Sequence, residues 1–491
     1  MAKYRSSPVL LCFGLCFLVL SQVSQGYRQG PRRKQPWRIG EEKGTCQFQS
    51  LTAREPSQRI QHEAGVTELW EEDNEQMQCA SVAVTRHTIE PNGLLLPTFT
   101  NAPMLVYIVQ GRGVLGTMIP GCPETYESFQ RTPGGRRMRR IRAGETTPME
   151  DLHQKLRYYR QGDLVALPAG VAHWCYNDGE TPLTMVVFHD RFFLAGNPLA
   201  QAQQQRHTTV GRERRLQSRI GNNVFRGFDI GLLAEAFGVS EDVARQLQCE
   251  NDPRGAIIRV HEGLRMVRPP ATMRRGWGGN NSTDENVEEY YENDEAVMQE
   301  NGMEETICAM RLTENLEDPE RADVYTVRGG RIRTVTSFDL PVLKHLQLSA
   351  KRGYLYKNAM VAPQWNMNSH EILYCIRGRA RVQVVGCGST TNRPVFDGEV
   401  REGQLLVIPQ NYVSLARAGE EGFEWITFMT SDNAMFSPLA GRVSVMRGIP
   451  EEVLMNMFMI SREDAQRLKY NRPEMTILSP RSTTRGIRAS A

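Results

Sequence analysis

The chain has 491 residues, 59 Lys plus Arg against 56 Asp plus Glu, and 40% hydrophobic residues, so two or three domains with sizeable cores are allowed. A net charge of +3 spread along the chain argues against a nucleic-acid surface, and the body contains no run of about 20 apolar residues able to span a bilayer. The bases are unusual in kind, 51 Arg against 8 Lys, and Gln and Asn are plentiful, as in the stretch 201–205. Side-chain nitrogen distributed over a whole chain fits a protein valued for what it contains.

The N-terminus reads as a secretory signal. Lys3 and Arg5 precede an apolar run over 9–20, and Ser24-Gln25-Gly26 offers small residues for cleavage between Gly26 and Tyr27. Entry to the secretory pathway permits disulfides. Loss of Cys12 and Cys16 with residues 1–26 leaves eight cysteines, sparse for this length, so the fold must rest on its core.

The rest of the chain repeats itself. LVYIVQGRG at 105–113 returns as ILYCIRGRA at 372–380, and GDLVALPAG at 162–170 as GQLLVIPQN at 403–411. TMVVFHD at 184–190 returns in WITFMTSD at 425–432, and 222–248 returns as 443–469. Short runs of Val, Ile, Leu, Tyr and Phe, punctuated by Gly, Pro, Asn and Asp, predict an all-β sandwich or barrel in each copy. Residues 229–237 and 243–247 show helical spacing, with Ser240 as a cap, and 450–459 and 463–468 do the same, with Ser461. Each half is therefore expected to be a β-barrel with a helical arm. The apolar residues Leu232, Leu233, Phe237, Val453, Leu454 and Phe458 are expected to serve a subunit contact.

Three stretches read as loops, 129–155 with the block Arg136-Arg137-Met138-Arg139-Arg140, 200–212, and 269–300. Asn280 and Asn281 each begin a glycosylation sequon. At the end of the third loop stands NGMEET at 301–306, with Cys308 close behind. Gly302 leaves the Asn301–Gly302 bond open to attack, and the acidic stretch before it cannot bury itself. The motif lies between the two copies and reads as a processing site. The expected units are 1–26, a first domain over 27–267, a linker over 268–301, and a second domain over 302–491.

One catalytic pattern needs weighing. GDLVALPAGVAHWCYN at 162–177 is similar to the second motif of the cupin superfamily, through Gly162, Pro168, Gly170, His173 and Asn177. In germin-like metal-binding cupins, the resemblance implies four ligands, three His and one Glu. Here the earlier ligand positions fall on Thr98, Thr100 and Met104. In the second copy they fall on Trp365, Met367 and Glu371, with Ser414 opposite His173. One ligand per barrel does not hold a metal. No metal, cofactor or catalytic residue is assigned. His173 is expected to be structural, and Glu371 needs a partner, for which an Arg of the repeat is one candidate. His370 should face away from Glu371. No nucleophile elbow or phosphate loop appears.

NGMEET with Cys308, the run GLLLPTFTNAPMLVYIVQGRGVLG, and the placing of Cys46, Cys79 and Cys122 resemble the 11S globulins, the legumin-type seed storage proteins, along nearly the whole chain. The resemblance implies a bicupin of two jelly-roll barrels and a nutrient reservoir in the protein storage vacuole, not an enzyme. It also implies cleavage after Asn301 by an asparaginyl endopeptidase, giving an acidic chain over 27–301 and a basic chain over 302–491. Cys122 would link to Cys308 across the cut, and Cys46 to Cys79 within the first chain. Trimers, then hexamers, would form with like or related storage subunits, without nucleic acid or membrane. Cys175 and Cys375 lie in strand pattern and read as buried thiols. The alternatives from other classes are a germin-like metal-dependent enzyme and a small-ligand-binding cupin.

Overall fold

The computed structural model describes residues 48–70, 75–122, 153–154, 156–190, 223–248, 254–264, 308, 310–386 and 393–480. Gly26, Tyr27, Cys46, the Arg-rich loop to 152, the link over 200–212, Cys249, Asn280, Asn281, Asn301, Gly302 and Cys387 lie outside the described residues.

The first repeat folds as β1 (Gln58–His62), β2 (Gly65–Leu69), α1 (Glu75–Ala80), β3 (Val82–Ile89), β4 (Gly93–Thr98), β5 (Met104–Gln110), β6 (Arg112–Met118), β7 (Leu156–Arg160), β8 (Asp163–Leu167), β9 (Ala172–Tyr176) and β10 (Leu183–Asp190). Its arm follows as α2 (Ile230–Phe237) and α3 (Glu241–Gln248), then β11 (Ile257–Arg259) and β12 (Thr313–Asn315). The second repeat gives β13 (Val324–Thr326), β14 (Gly330–Val335), α4 (Leu343–Leu346), β15 (Ser349–Leu355), β16 (Met360–Asn366), β17 (Glu371–Val385), β18 (Phe396–Arg401), β19 (Leu405–Ile408), β20 (Val413–Met429) and β21 (Phe436–Pro438). Its arm is α5 (Val445–Gly448), α6 (Glu451–Phe458) and α7 (Arg462–Tyr470), closed by β22 (Ile477–Leu478). The fold is a mainly β bicupin, two jelly rolls each with a helical arm, as the repeats predict.

In the first barrel, one sheet runs β1-β2-β3-β10-β5-β8-β12 and the other β11-β4-β9-β6-β7. Gly111, with φ +88°, turns the chain between β5 and β6. Its counterpart Gly378, with φ +76°, lies within β17, so the second barrel passes the same corner without a break. There a Cβ would stand 2.4 Å from the Gly422 carbonyl oxygen.

The two barrels are not self-contained. β12 lies beyond the expected linker, yet it pairs antiparallel with β8 of the first barrel, Thr313 opposite Val165 and Asn315 opposite Asp163. Conversely, Leu51 and Arg54, which precede β1, bond to the second barrel: Leu51 N–H to the Val395 carbonyl at 2.7 Å, and Arg54 to Leu405 of β19 in both directions at 2.8 Å. β8 and β19 are the same strand of the repeat, so each barrel's edge is extended by the chain leading into the other, by strand β12 at β8 and by a single bridge from Arg54 at β19. Buried Glu314 pins β12, with Arg311 at 3.0 Å and Arg321 also paired to it.

The facing sheets meet on repeat-equivalent residues. Phe188 and Phe428 stack with centroids 5.2 Å apart. Val84 pairs with Phe188 and Ala350 with Phe428, which makes Arg86 and Arg352 equivalents two residues on. Arg86 donates to the Tyr374 hydroxyl at 2.8 Å, and Arg352 to the Tyr107 hydroxyl at 2.9 Å, so the two cross-links are reciprocal. Glu68 accepts from Arg86 at 2.6 Å, and Glu424 accepts from Arg352 at 2.7 Å. The Tyr107 hydroxyl in turn donates a hydrogen bond to Glu317 at 2.8 Å. A continuous apolar cluster including Leu105, Val186, Ile372 and Ile426 surrounds them.

In the arms, Asp229 and Ser461 cap α2 and α7 through their side chains. Leu232, Phe237, Val453 and Phe458 are exposed, as a subunit contact requires. Leu233 and Leu454 are buried instead. Helices of two turns need a core of their own. Leu233 packs with Ala234 and Ala244, while Leu454 and Ala465 hold the corresponding places in the other arm.

Gly378→Ala should lower the unfolding midpoint by an amount equal to about 2–3 kcal/mol, from left-handed strain plus the Gly422 clash. Gly448→Ala meets nothing within 4 Å and should lie within about 0.5 kcal/mol of the parent in the same urea titration.

Candidate functional site

Two places were candidates for chemistry, the barrel interiors and the Cys122–Cys308 region. In the first barrel, β9 carries His173 to the inner face, opposite Thr98 of β4 and Thr117 of β6. His173 is buried, with Nδ1 3.4 Å from the Val171 carbonyl oxygen, and burial depresses its pKa. Thr98 is exposed and Met104 is buried in the core. The neighbourhood of His173 is other histidines, which the sequence reading did not single out.

Those histidines come from β1, β3 and β10, and register alone brings them inward. The backbone N–H of Ala256 donates to His62 Nδ1 at 3.2 Å. A backbone N–H can only donate, so His62 carries its proton on Nε2 and gives it to Thr67 Oγ1 at 2.9 Å. Thr67 Oγ1 also lies 2.9 Å from His87 Nδ1, so it bridges the two rings. Burial lowers the pKa of both His62 and His87. Burial, and then the neighbouring His189, His62 and His173, push the half-buried His87 down to about 3. Alternating strand positions could have flagged His87, but a lone His on a half-polar strand carries no such signal without its partners.

In the second barrel Glu371 is buried and its partner is Lys351, not an Arg. Lys351 Nζ lies 3.0 Å from Glu371 Oε2 and 3.7 Å from the Phe436 ring centroid. The reason is register. Lys351 faces Thr427, which also faces Leu373, two residues from Glu371 on the same side of β17. Arg352, one residue on, points to the other face and serves the inter-barrel contact. Trp365 is partly covered and Met367 exposed, and Ser414 pairs across to Gln364. His370 Nδ1 accepts from Gln410 N–H at 3.2 Å, apart from Glu371. Thus an ammonium sits against the carboxylate that a metal cupin would give to its ion. Among the described residues, no three His, Cys, Asp or Glu side chains converge to hold a metal.

A cleft of about 460 Å³ lies outside both barrels, where Arg59, Glu68 and Arg86 meet Glu402 and Gly403. Its charges are mixed and two of them, Glu68 and Arg86, are spent on each other.

Cys122, just past β6, is bonded to Cys308, 186 residues on and shortly before β12. The Gln154 side chain braces this end, accepting from Ile119 N–H at 2.8 Å and donating to the Cys122 carbonyl at 2.8 Å. Cys79 is also disulfide-bonded. Cys175 and Cys375 are buried free thiols, each pushed up to about 12 by burial, so neither offers a thiolate.

The cupin family matches at residues 51–191 and 314–466. The "11S globulin seed storage protein 1" of Carya illinoinensis is 46% identical over 97% of this chain and 98% of its own. A second relative, "11S globulin seed storage protein Ana o 2.0101" of Anacardium occidentale, is 48% identical over 96% and 98%. The solved recombinant pro-11S globulin of pumpkin is 43% identical over 89% of this chain and 100% of that one, with a TM-score of 0.69.

Lys351→Met strands a buried carboxylate and should cost about 3–5 kcal/mol, while Lys351→Met/Glu371→Leu should recover most of it, both read as urea midpoints. The histidines predict an acid effect. Unfolded His binds a proton near 6.5, whereas folded His62 and His87 resist it. Above about pH 6.5 they contribute nothing; below it the unfolded state binds more protons, so stability falls towards His87's value of about 3. Below that upper bound the loss should be about 1 kcal/mol per pH unit or less at this half-accessible ring, and His87→Gln should shrink it in midpoints compared between about pH 7 and 5.

Proposed function

The chain belongs to the 11S globulin family of cupin seed storage proteins, a nutrient reserve rather than an enzyme, and from this we propose how it is made, assembled and used. The precursor loses its signal between Gly26 and Tyr27 and folds in the secretory pathway, with a glycan allowed at Asn280 or Asn281. In the storage vacuole an asparaginyl endopeptidase cuts after Asn301. The acidic chain, 27–301, and the basic chain, 302–491, stay linked through Cys122 and Cys308, with Cys46 and Cys79 paired in the first chain. Copies assemble through their arms as trimers, then as hexamers, and germination proteases release the amino acids.

The observation that carries this reading is the Cys122–Cys308 bond together with the reciprocal pairing of β12 with β8 and of Arg54 with Leu405. A cut between 264 and 308 leaves every described strand pairing in place, so the folded subunit tolerates it. The exposed Leu232, Phe237, Val453, Met457 and Phe458 support assembly through the arms, since apolar surface of that extent seeks cover. The barrel interiors support storage over a germin-like oxidase, because Lys351 pairs with Glu371, the carboxylate that a metal site there would use.

Denaturing electrophoresis of protein from its source tests the cut and the tether. One band near the precursor size should split in two on reduction. A single band under both conditions would defeat the processing reading. Reductant without denaturant should leave subunit size unchanged by gel filtration, because β12 and residues 51–54 still hold the chains.

A further inference from the structure

The sequence contains two Asn-Gly bonds, and the second is Asn92–Gly93. It joins β3 to β4, and the Asn92 side chain is exposed at the turn. By side chain alone it is as good a target for an Asn-specific endopeptidase as Asn301–Gly302. Its backbone is not.

Asn92 has φ +60°, the left-handed region, whereas a protease takes its substrate as an extended strand. All four backbone groups of the dipeptide are engaged. Asn92 N–H donates to the Asn177 carbonyl at 3.1 Å, and Gly93 N–H to the Glu90 carbonyl at 2.9 Å. The Gly93 carbonyl accepts from Asn177 N–H at 3.0 Å. The Asn92 carbonyl, the one a nucleophile must reach, accepts from Val260 N–H at 3.0 Å. The Asn92 side-chain oxygen accepts from the Tyr176 hydroxyl at 3.0 Å.

Val260 follows β11, a three-residue strand at the edge of the five-stranded sheet. β11 lies directly on the turn, with Arg259 opposite Gly93. Arg259 Nη1 donates to the Pro91 carbonyl at 3.4 Å, its Nη2 pairs with Glu90, and its backbone N–H donates to Glu63 at 2.8 Å. Ile257, fully buried, anchors the segment. Short edge strands are the parts of a sheet that open at least cost.

We propose that Asn92–Gly93 is a latent scissile bond for an Asn-specific endopeptidase, kept closed by the β11 segment and uncovered when that segment lifts. Cleavage is hydrolysis of the amide: the C–N bond breaks, water supplies the hydroxyl to the Asn92 carbonyl carbon, and the Gly93 nitrogen leaves as an amine. The choice between the two Asn-Gly bonds is then conformational. It rests on the processing reading above, in that the same class of protease makes both cuts. Opening the second frees β3 from β4 and turns a single nick into dismantling of the first barrel.

The test incubates the assembled full-length protein with an asparagine-specific cysteine endopeptidase and follows new N-termini by mass spectrometry. Folded parent should yield the Gly302 terminus without Gly93. Urea-unfolded parent should yield Gly93 as well, and Asn92→Gln should abolish it. Folded Arg259→Ala, a surface change whose folding is checked by circular dichroism, should raise the Gly93 rate at least about threefold, since cleavage tracks the open population. Tyr176→Phe, which removes one bond to the Asn92 side chain, should raise it too. The proposal fails if folded parent yields Gly93 as fast as Gly302, if unfolded parent yields none, or if both variants leave the folded rate unchanged. Absence of Gly302 from folded parent, with Gly93 behaving as stated, would defeat the processing reading alone.

Discussion

Two guanidinium–phenol contacts, Arg86 to Tyr374 and Arg352 to Tyr107, sit on either side of the Phe188–Phe428 stack, and the rest of the molecule is arranged around them. Arg352 is 2% exposed, a charge that costs several kcal/mol to desolvate unless every donor is used. Each of its three nitrogens donates, Nε to Tyr107 and Glu317, Nη1 to the carbonyls of Gly353 and Trp425, and Nη2 to Glu424. Burial raises the Tyr107 hydroxyl pKa, so it keeps its proton and can donate to Glu317 while accepting from Arg352. The network is complete only when both barrels are present. Neither facing sheet could stand in water alone, because its apolar cluster is finished by the other repeat.

With the faces turned towards each other, the barrel interiors became the free space of the fold. The two repeats filled theirs differently. The first holds two histidines bridged by Thr67, and the second an ammonium–carboxylate pair under an aromatic ring. Both satisfy buried polar groups from within the chain. An enzyme must leave such groups unsatisfied until substrate or metal arrives. A reserve protein needs no such opening.

Much of this was legible in the sequence where the signal is local. Alternation and Gly punctuation marked the strands, Ser461 the start of α7, and the repeat the number of barrels. Cys122 and Cys308 could be matched through a family resemblance. What the sequence concealed depends on register between distant strands. Lys351 and Arg352 are neighbours with opposite fates, one inside a barrel and one between barrels, and only the pairing of β15 with β20 decides which. The same applies to His87, whose partner Thr67 comes from β2 and whose neighbouring histidines come from β1, β9 and β10. Residues 51–54 and β12 look like leaders to the barrel that follows them, and nothing in their composition says that each pairs with the other barrel. Leu233 and Leu454 were assigned outward with their neighbours, because spacing marks a face as apolar without saying how much of it two short helices keep for themselves.

The exchanged edge strands also fix the order of events in the life of the molecule. While the chain is continuous, β12 finds β8 as a loop closure within one polymer, at an effective concentration set by the connecting segment. Were the backbone cut between 264 and 308 and the Cys122–Cys308 bond reduced, that search would become an encounter between two molecules, each exposing an unfinished barrel face. A two-chain subunit would then be a product of its history: readily reached from the intact chain, and hard to regain from its separated halves.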